Sequence, residues 1–354
     1  MRKIFLSMIA LAAITVSCSD DQTTDTNEIP QQEAVDMSDF YLYTDANTYV
    51  GRGEQATTGG CFSMQKLNQQ LDNDPQLYQK MYDLEKKYRQ NTIAQRPGNG
   101  NGNNNNGGGG DPEPPTDNLG VVTIPVYVHV VYSNSNENIS SAQINSQIAV
   151  LNDDFRRNNN DANQTPSLFA PVAADTEIQF TLANTFRYSN SRTSWGTNDL
   201  VKSTYPPVTP STHLNIWVCN IGGGILGYAQ FPGGSSATDG VVVSPQYFGT
   251  TGFVAAPFDG GRTTTHEVGH YLNLRHIWGD GRCNRDDFVS DTPKSDRPNY
   301  GCPSFPTTHC RSTDMTMNYM DYTDDACMNM FSEGQKSRMR GVLVSGGARA
   351  SLVN

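Results

Sequence analysis

His266-Glu267-Val268-Gly269-His270-Tyr271-Leu272-Asn273-Leu274-Arg275-His276 decides how the rest of this chain is read. On a helix, His266 and His270 lie four residues apart and point to one face. Neutral imidazole is a common zinc ligand, and a catalytic zinc usually keeps three protein ligands and an open position for water. Glu267 sits one step round the helix, within reach of that water as a general base. His276 stands six residues beyond His270, too far round to join from an unbroken helix. The chain must therefore turn between them. Asn273 is placed for that turn, because Asn tolerates the left-handed conformation that ends many helices.

With Asn273 in the Gly position, the longer pattern resembles H-E-x-x-H-x-x-G-x-x-H of the metzincin metallopeptidases. Downstream, Asn318-Tyr319-Met320-Asp321-Tyr322 resembles their Met-turn. By that resemblance Met320 is an apolar floor beneath the zinc, a role that suits a soft thioether. Tyr322 would ligate zinc at rest or hydrogen-bond the oxyanion during reaction. The wider text over 270–280 and 317–331 is similar to the pappalysin family, most of all to its bacterial, cytophagalysin-like branch. The resemblance runs from about Leu119 to the end. It implies an α/β (α+β) catalytic domain: a twisted, mostly parallel sheet with an active-site helix, over an irregular, disulfide-stapled C-terminal subdomain. It also implies a zinc endopeptidase that cleaves protein or peptide substrates. Two alternatives are a zinc amidohydrolase for small molecules and a surface lipoprotein with a vestigial zinc site. A cleft for extended peptides argues against the first, and an intact Glu267 against the second.

The N-terminus, 1–18, reads as a targeting segment. Arg2 and Lys3 precede an apolar run from Ile4 to Val16, too short to span a bilayer as a stable helix. Thr15-Val16-Ser17-Cys18 resembles a bacterial lipoprotein cleavage site, with Cys18 lipidated and the protein held at the outer membrane or cell surface. Ordinary secretion with cleavage near Ser17 is the alternative. Both carry the protein out of the cytoplasm.

In an exported protein, Cys283, Cys302, Cys310 and Cys327 read as two disulfides, with three possible connectivities. The resemblance favours Cys283 with Cys310 and Cys302 with Cys327. A second zinc site is the rival reading, although these cysteines lack C-x-x-C spacing. Cys219 reads as a free thiol in a buried strand. Cys61 stands alone upstream. Its thiolate could fill the open zinc position as a latency switch, as the resemblance implies, though Phe62 follows it where the family has Gly. The other reading is an unpaired, flexible cysteine.

The net charge of −11 argues against nucleic-acid binding, which needs a basic face. Residues 19–118 hold 16 acidic and 7 basic residues and few apolar ones, so they cannot build a large core alone. One helix is expected there, starting at Asp74-Pro75, with Tyr78, Met81, Leu84 and Tyr88 as its apolar stripe. The Gly-, Asn- and Pro-rich run within 97–118 is a flexible, cleavable linker. The expected organisation is a pro-segment (19–96), a linker (97–118) and a catalytic domain (119–354). The resemblance implies basic residues next to the scissile bond, which makes Arg96 an activation point.

Within the domain, Val121 to Tyr132 reads as a buried strand with His129 a core histidine. Ser140 caps a helix whose stripe is Ile144, Ile148, Leu151 and Phe155. Further strands are expected over 177–182, 214–219 and 241–243. By resemblance Gly227 to Gln230 forms the edge strand above the cleft, open to an added peptide strand. The active-site helix starts near Gly261-Arg262-Thr263, and Ser332-Glu333-Gly334-Gln335 is a capping box. Asp286, Asp287, Asp291 and Thr292 form an oxygen-rich loop suited to calcium, with Asp287 and Thr292 the better candidates. A solvated acidic loop is the alternative.

Overall fold

The computed structural model describes residues 35–46, 60–94 and 117–353, and the described residues from Met37 onward belong to one compact unit. Cys18, Arg96 and the linker up to 116 lie outside the described residues. In chain order the main elements are β1 (Gly60–Cys61), α1 (Ser63–Asn73), α2 (Pro75–Ala94), β2 (Val122–Tyr132), α3 (Ser141–Phe155), β3 (Ile178–Ser189), α4 (Leu200–Thr204), β4 (Leu214–Val218), β5 (Ile225–Ala229), β6 (Val241–Val243), α5 (Arg262–Tyr271) and α6 (Glu333–Gly341).

Six strands form one sheet in the order β1-β5-β6-β4-β2-β3. The last four in that order run parallel, while β5 is antiparallel to β6. Ile124, Val126, Val128 and Val130 of β2 are wholly buried in one core with Ile144, Leu151 and Phe155 of α3 and Val268 and Tyr271 of α5. A parallel sheet covered on both faces needs such apolar strands. On the opposite face, Val131, Trp217, Tyr228, Val242 and the free thiol of Cys219 form a smaller cluster. His129 is a core histidine: its Nε2 lies 2.8 Å from Asn215 Oδ1, and its ring stacks on Trp217. Ser140 caps α3 by accepting from the Gln143 amide.

The N-terminal segment departs from expectation in two ways. α1 is an extra helix; its apolar positions Met64, Leu67 and Leu71 are diluted by Gln65, Lys66 and Asn68, which are buried only by packing. In α2 the inward stripe begins at Leu77, not Tyr78, which is 37% exposed. Leu77 and Met81 join Leu42, Met64, Leu67, Leu71 and Phe231 in one cluster, and that contact sets the rotation of the helix.

Below α5 the chain is irregular. Disulfides join Cys283 to Cys310 and Cys302 to Cys327. Ser332 and Gln335 form a capping box at α6. Asp117 pairs with Arg340 of that helix and fixes the chain entering β2.

Candidate active site

Every residue of α5 from Thr263 to Tyr271 is buried. At its start the Asp325 carboxylate accepts the amide of Gly260 (2.9 Å) and that of Arg262 (3.1 Å), a first-turn donor that the helix itself leaves unpaired. At its end Asn273 takes φ +80°, Leu274 N–H donates to Gly269 C=O and Asn273 N–H to His270 C=O, each at 2.9 Å. This is a Schellman ending, and it swings His276 back over the helix. Gly269 lets Met320 approach: a Cβ there would come within 2.5 Å of Met320 Sδ, which lies buried against α5.

The three imidazoles converge. His270 Nε2 lies 3.1 Å from His266 Nε2 and 3.1 Å from His276 Nε2. Each Nδ1 faces an acceptor: Tyr319 C=O at 2.7 Å, Leu274 C=O at 2.8 Å and Asp280 Oδ1 at 2.7 Å for His266, His270 and His276. Those partners leave each Nε2 free to ligate. Burial pushes the His266 imidazole down to about 3, and the His276 ring adds to this. Burial and both neighbouring rings lower His270 in the same direction, so these two rings are in the neutral, ligating form. Tetrahedral zinc with Zn–N of about 2.1 Å sets ligand nitrogens roughly 3.4 Å apart, so the donor set fits that ion. Cys61 joins them: its Sγ and one nitrogen from each imidazole all lie within 4.8 Å of one another, a set that could hold a metal ion.

Glu267 stands beside this cluster, fully buried, and burial pushes its carboxyl up to about 7. Its Oε2 accepts from Ser63 Oγ at 2.6 Å and lies 3.4 Å from Cys61 Sγ, while Oε1 has no partner among the described residues. Ser63 Oγ in turn accepts the Ala229 amide at 2.7 Å. Above Glu267 runs Gly227 of β5, where a Cβ would approach Glu267 Cγ to 2.9 Å. Tyr322 donates its hydroxyl to the Cys61 carbonyl at 3.3 Å, its ring centroid 4.8 Å from that of His276.

The peptidase family described as Pregnancy-associated plasma protein-A matches residues 210–344. Extracellular metalloprotease 1 of Coccidioides posadasii is 33% identical over 209 residues, 57% of this chain and 68% of that protein. An extracellular metalloprotease of Arthroderma benhamiae is likewise 33% identical, over 60% of this chain and 68% of its own length. Among solved structures, mature mirolysin of Tannerella forsythia in complex with a cleaved peptide is 47% identical, with a TM-score of 0.64 over 66% of this chain and 96% of that one. A promirolysin mutant is 41% identical, with a TM-score of 0.71 over 83% of this chain and 96% of that one.

The chain belongs to the pappalysin family of metzincin peptidases. As a pappalysin it is a metalloendopeptidase, and the family implies zinc as its metal. That favours a peptidase over an amidohydrolase for small molecules or a vestigial binding module.

Other expectations fare differently in this pappalysin. The edge of β5 is not open: β1 pairs with it in parallel, and Phe62 N–H donates to Gly227 C=O at 3.0 Å. An exposed edge is a row of unpaired backbone groups, and here the N-terminal segment satisfies it. The four cysteines are disulfide-bonded, which removes the rival second zinc site. Asp287 and Thr292 do meet: Thr292 Oγ1 lies 2.8 and 2.9 Å from the two carboxylate oxygens of Asp287.

Sequence reading missed four residues that shape the site. Asp280 lies four positions after His276, a spacing that becomes meaningful only once the loop is folded. Asp154 of α3 accepts from Tyr319 O–H (2.8 Å) and Thr265 O–H (2.7 Å), bracing both the carbonyl that holds His266 and α5 itself. Asp325 and Ser63 carry no local signal at all. Beside Glu267 lies a small pocket lined by Leu226, Thr263, Tyr322, Asp325 and Met328 among others.

Proposed function

We propose that this metalloendopeptidase hydrolyses peptide bonds with His266, His270 and His276 holding zinc, and that residues 19–96 keep the chain latent until the 97–118 linker is cut. The carrying observation is the convergence of three imidazole Nε2 atoms beside a buried carboxylate under a sheet edge. Zinc, when bound, supplies a Lewis acid that polarises the scissile carbonyl and acidifies the attacking water.

The protein groups do the rest. Glu267 takes the proton from the water and passes it to the leaving amine. Tyr322 donates its hydroxyl to the oxyanion; its bond to the Cys61 carbonyl, a stand-in for a substrate carbonyl, supports that role. Met320 packs beneath α5 and keeps the floor apolar. The β5 edge, freed of β1, would take an extended substrate as an added strand.

Latency rests on two contacts: Cys61 at the open ligand position and Ser63 on the base. The shares of the chain aligned with relatives support the division, 66% with mature mirolysin and 83% with a promirolysin. Extracellular relatives support export, with Cys18 lipidated or the leader simply removed. The test is peptide cleavage by the zinc-loaded protein with and without a chelator, beside Glu267→Ala with its zinc content measured. Full activity in a zinc-loaded Glu267→Ala protein overturns the reading.

A further inference from the structure

α1 starts over the cleft and runs along β5 toward its C-terminal end. Ser63 meets the Ala229 amide, and two turns on, Gln70 Nε2 donates to Gln230 Oε1 at 3.2 Å. Between them Lys66 turns its ammonium away from solvent; the residue is 6% exposed. Lys66 Nζ lies 2.5 Å from Asp199 Oδ2 and donates to Thr197 C=O at 3.1 Å. A buried ammonium is tolerated only where acceptors replace its water, so this is a built cation socket. Every group that forms the socket belongs to the catalytic domain.

Asp199 is unusual in two respects. It holds a left-handed backbone, φ +61°, which is strained for a residue with a Cβ. It also occupies the N-cap position of α4 without capping that helix through its side chain. Its carboxylate is turned instead to Lys66. Lys202 lies 3.4 Å from Asp199 Oδ1, but its ammonium also donates to Thr238 C=O (2.8 Å) and Gly240 C=O (3.3 Å). When Lys66 leaves, Asp199 Oδ2 and the Thr197 carbonyl are the acceptors released.

The position of the socket follows from the strand. Gly227, against Glu267, marks the level of the scissile bond. A substrate laid antiparallel on β5 directs its N-terminal side toward Ala229 and Gln230, the side on which Lys66 sits. We infer that Asp199 and the Thr197 carbonyl form a subsite for a basic substrate side chain on the N-terminal side of the scissile bond, occupied by Lys66 in the latent chain. Two acceptors converging on one nitrogen suit lysine better than the broad arginine fork. The inference rests on the proposed peptidase reading.

The test uses the zinc-loaded enzyme after removal of its N-terminal segment. Peptides differing only by Lys or Gln at each position before the scissile bond are compared by kcat/KM. One charge-assisted hydrogen bond predicts a Lys preference of about tenfold at one of these positions. In Asp199→Asn the Lys:Gln ratio should fall to about one. A wild-type enzyme that cleaves both series without preference overturns the subsite while leaving the peptidase reading intact, and this needs no variant to fold. A preference that persists in Asp199→Asn also overturns it. If no peptide of either series is cleaved, the peptidase reading itself falls, and the subsite with it.

Discussion

Ser63 donates its hydroxyl to Glu267 at 2.6 Å and accepts the Ala229 amide at 2.7 Å. One side chain thus occupies both the carboxylate and an edge-strand donor that a substrate would use. Ser63→Ala should therefore raise the activity of the uncut chain. A buried hydrogen bond to a charged group is worth about 1.5–3 kcal/mol, or roughly 10- to 100-fold in the open population. Initial rates on a fluorogenic peptide, with intact mass confirming no cleavage, check this. Unchanged rates would remove Ser63 from the latency mechanism.

Glu267→Gln keeps the shape of the site and removes the base. Activity of the processed enzyme should fall by about 10²- to 10⁴-fold, the usual contribution of a positioned acid–base group. Metal analysis should show zinc retained, since the three imidazoles are untouched.

Removal of zinc should abolish peptidase activity, and one equivalent should restore it. In His276→Ala one ligand and its link to Asp280 are lost. That variant should bind zinc more weakly and stay inactive on readdition, as titration with a chromogenic chelator would reveal.

Glu85 of α2 and Arg338 of α6 form a buried pair, 2.7 Å apart with side chains 3% exposed, and Arg338 Nε also donates to the Asn273 carbonyl. Removing one partner of such a pair costs about 3–5 kcal/mol, so Glu85→Ala should lower the urea midpoint of the full chain clearly. Burial raises the Glu85 carboxyl, but Arg338 and Arg89 outweigh it, and the net shift is downward from 4.5. A depressed acid binds fewer protons in the folded state, so its stabilisation is present above about pH 4.5 and is lost as pH falls through the lower folded value. Denaturant midpoints measured from pH 7 downward should fall in the wild type, and less so in Glu85→Ala.

Gly269→Ala would set a methyl 2.5 Å from Met320 Sδ, within the turn that carries His276. Overpacking of this kind costs about 1–3 kcal/mol. Thermal unfolding should register that loss, and Met320→Ala in the same chain should recover part of it.

Chemistry written within one helix and its following turn was legible in the sequence. The four-residue spacing of His266 and His270, the adjacent Glu267 and the αL-tolerant Asn273 are local facts, because helix geometry turns sequence spacing directly into direction. The β-branched runs of β2 and β6 declared themselves in the same way, as did the capping box at Ser332. Periodicity misled in α2, where Tyr78 and Leu77 compete for the inward face and only the contact with Phe231 decides between them.

What the tertiary structure alone decided is what crosses the chain. Ser63 reaches Glu267 over 204 positions, and Arg338 reaches Glu85 over 253. No local pattern marks such partners, since a serine or an arginine has no preference for one distant group until packing brings the two together and excludes water. The sequence by itself determined that three histidines and a carboxylate share one helix and the turn that follows it. The fold determined that β1 closes the edge above that cluster, that Ser63 holds Glu267, and that Lys66 pairs with Asp199.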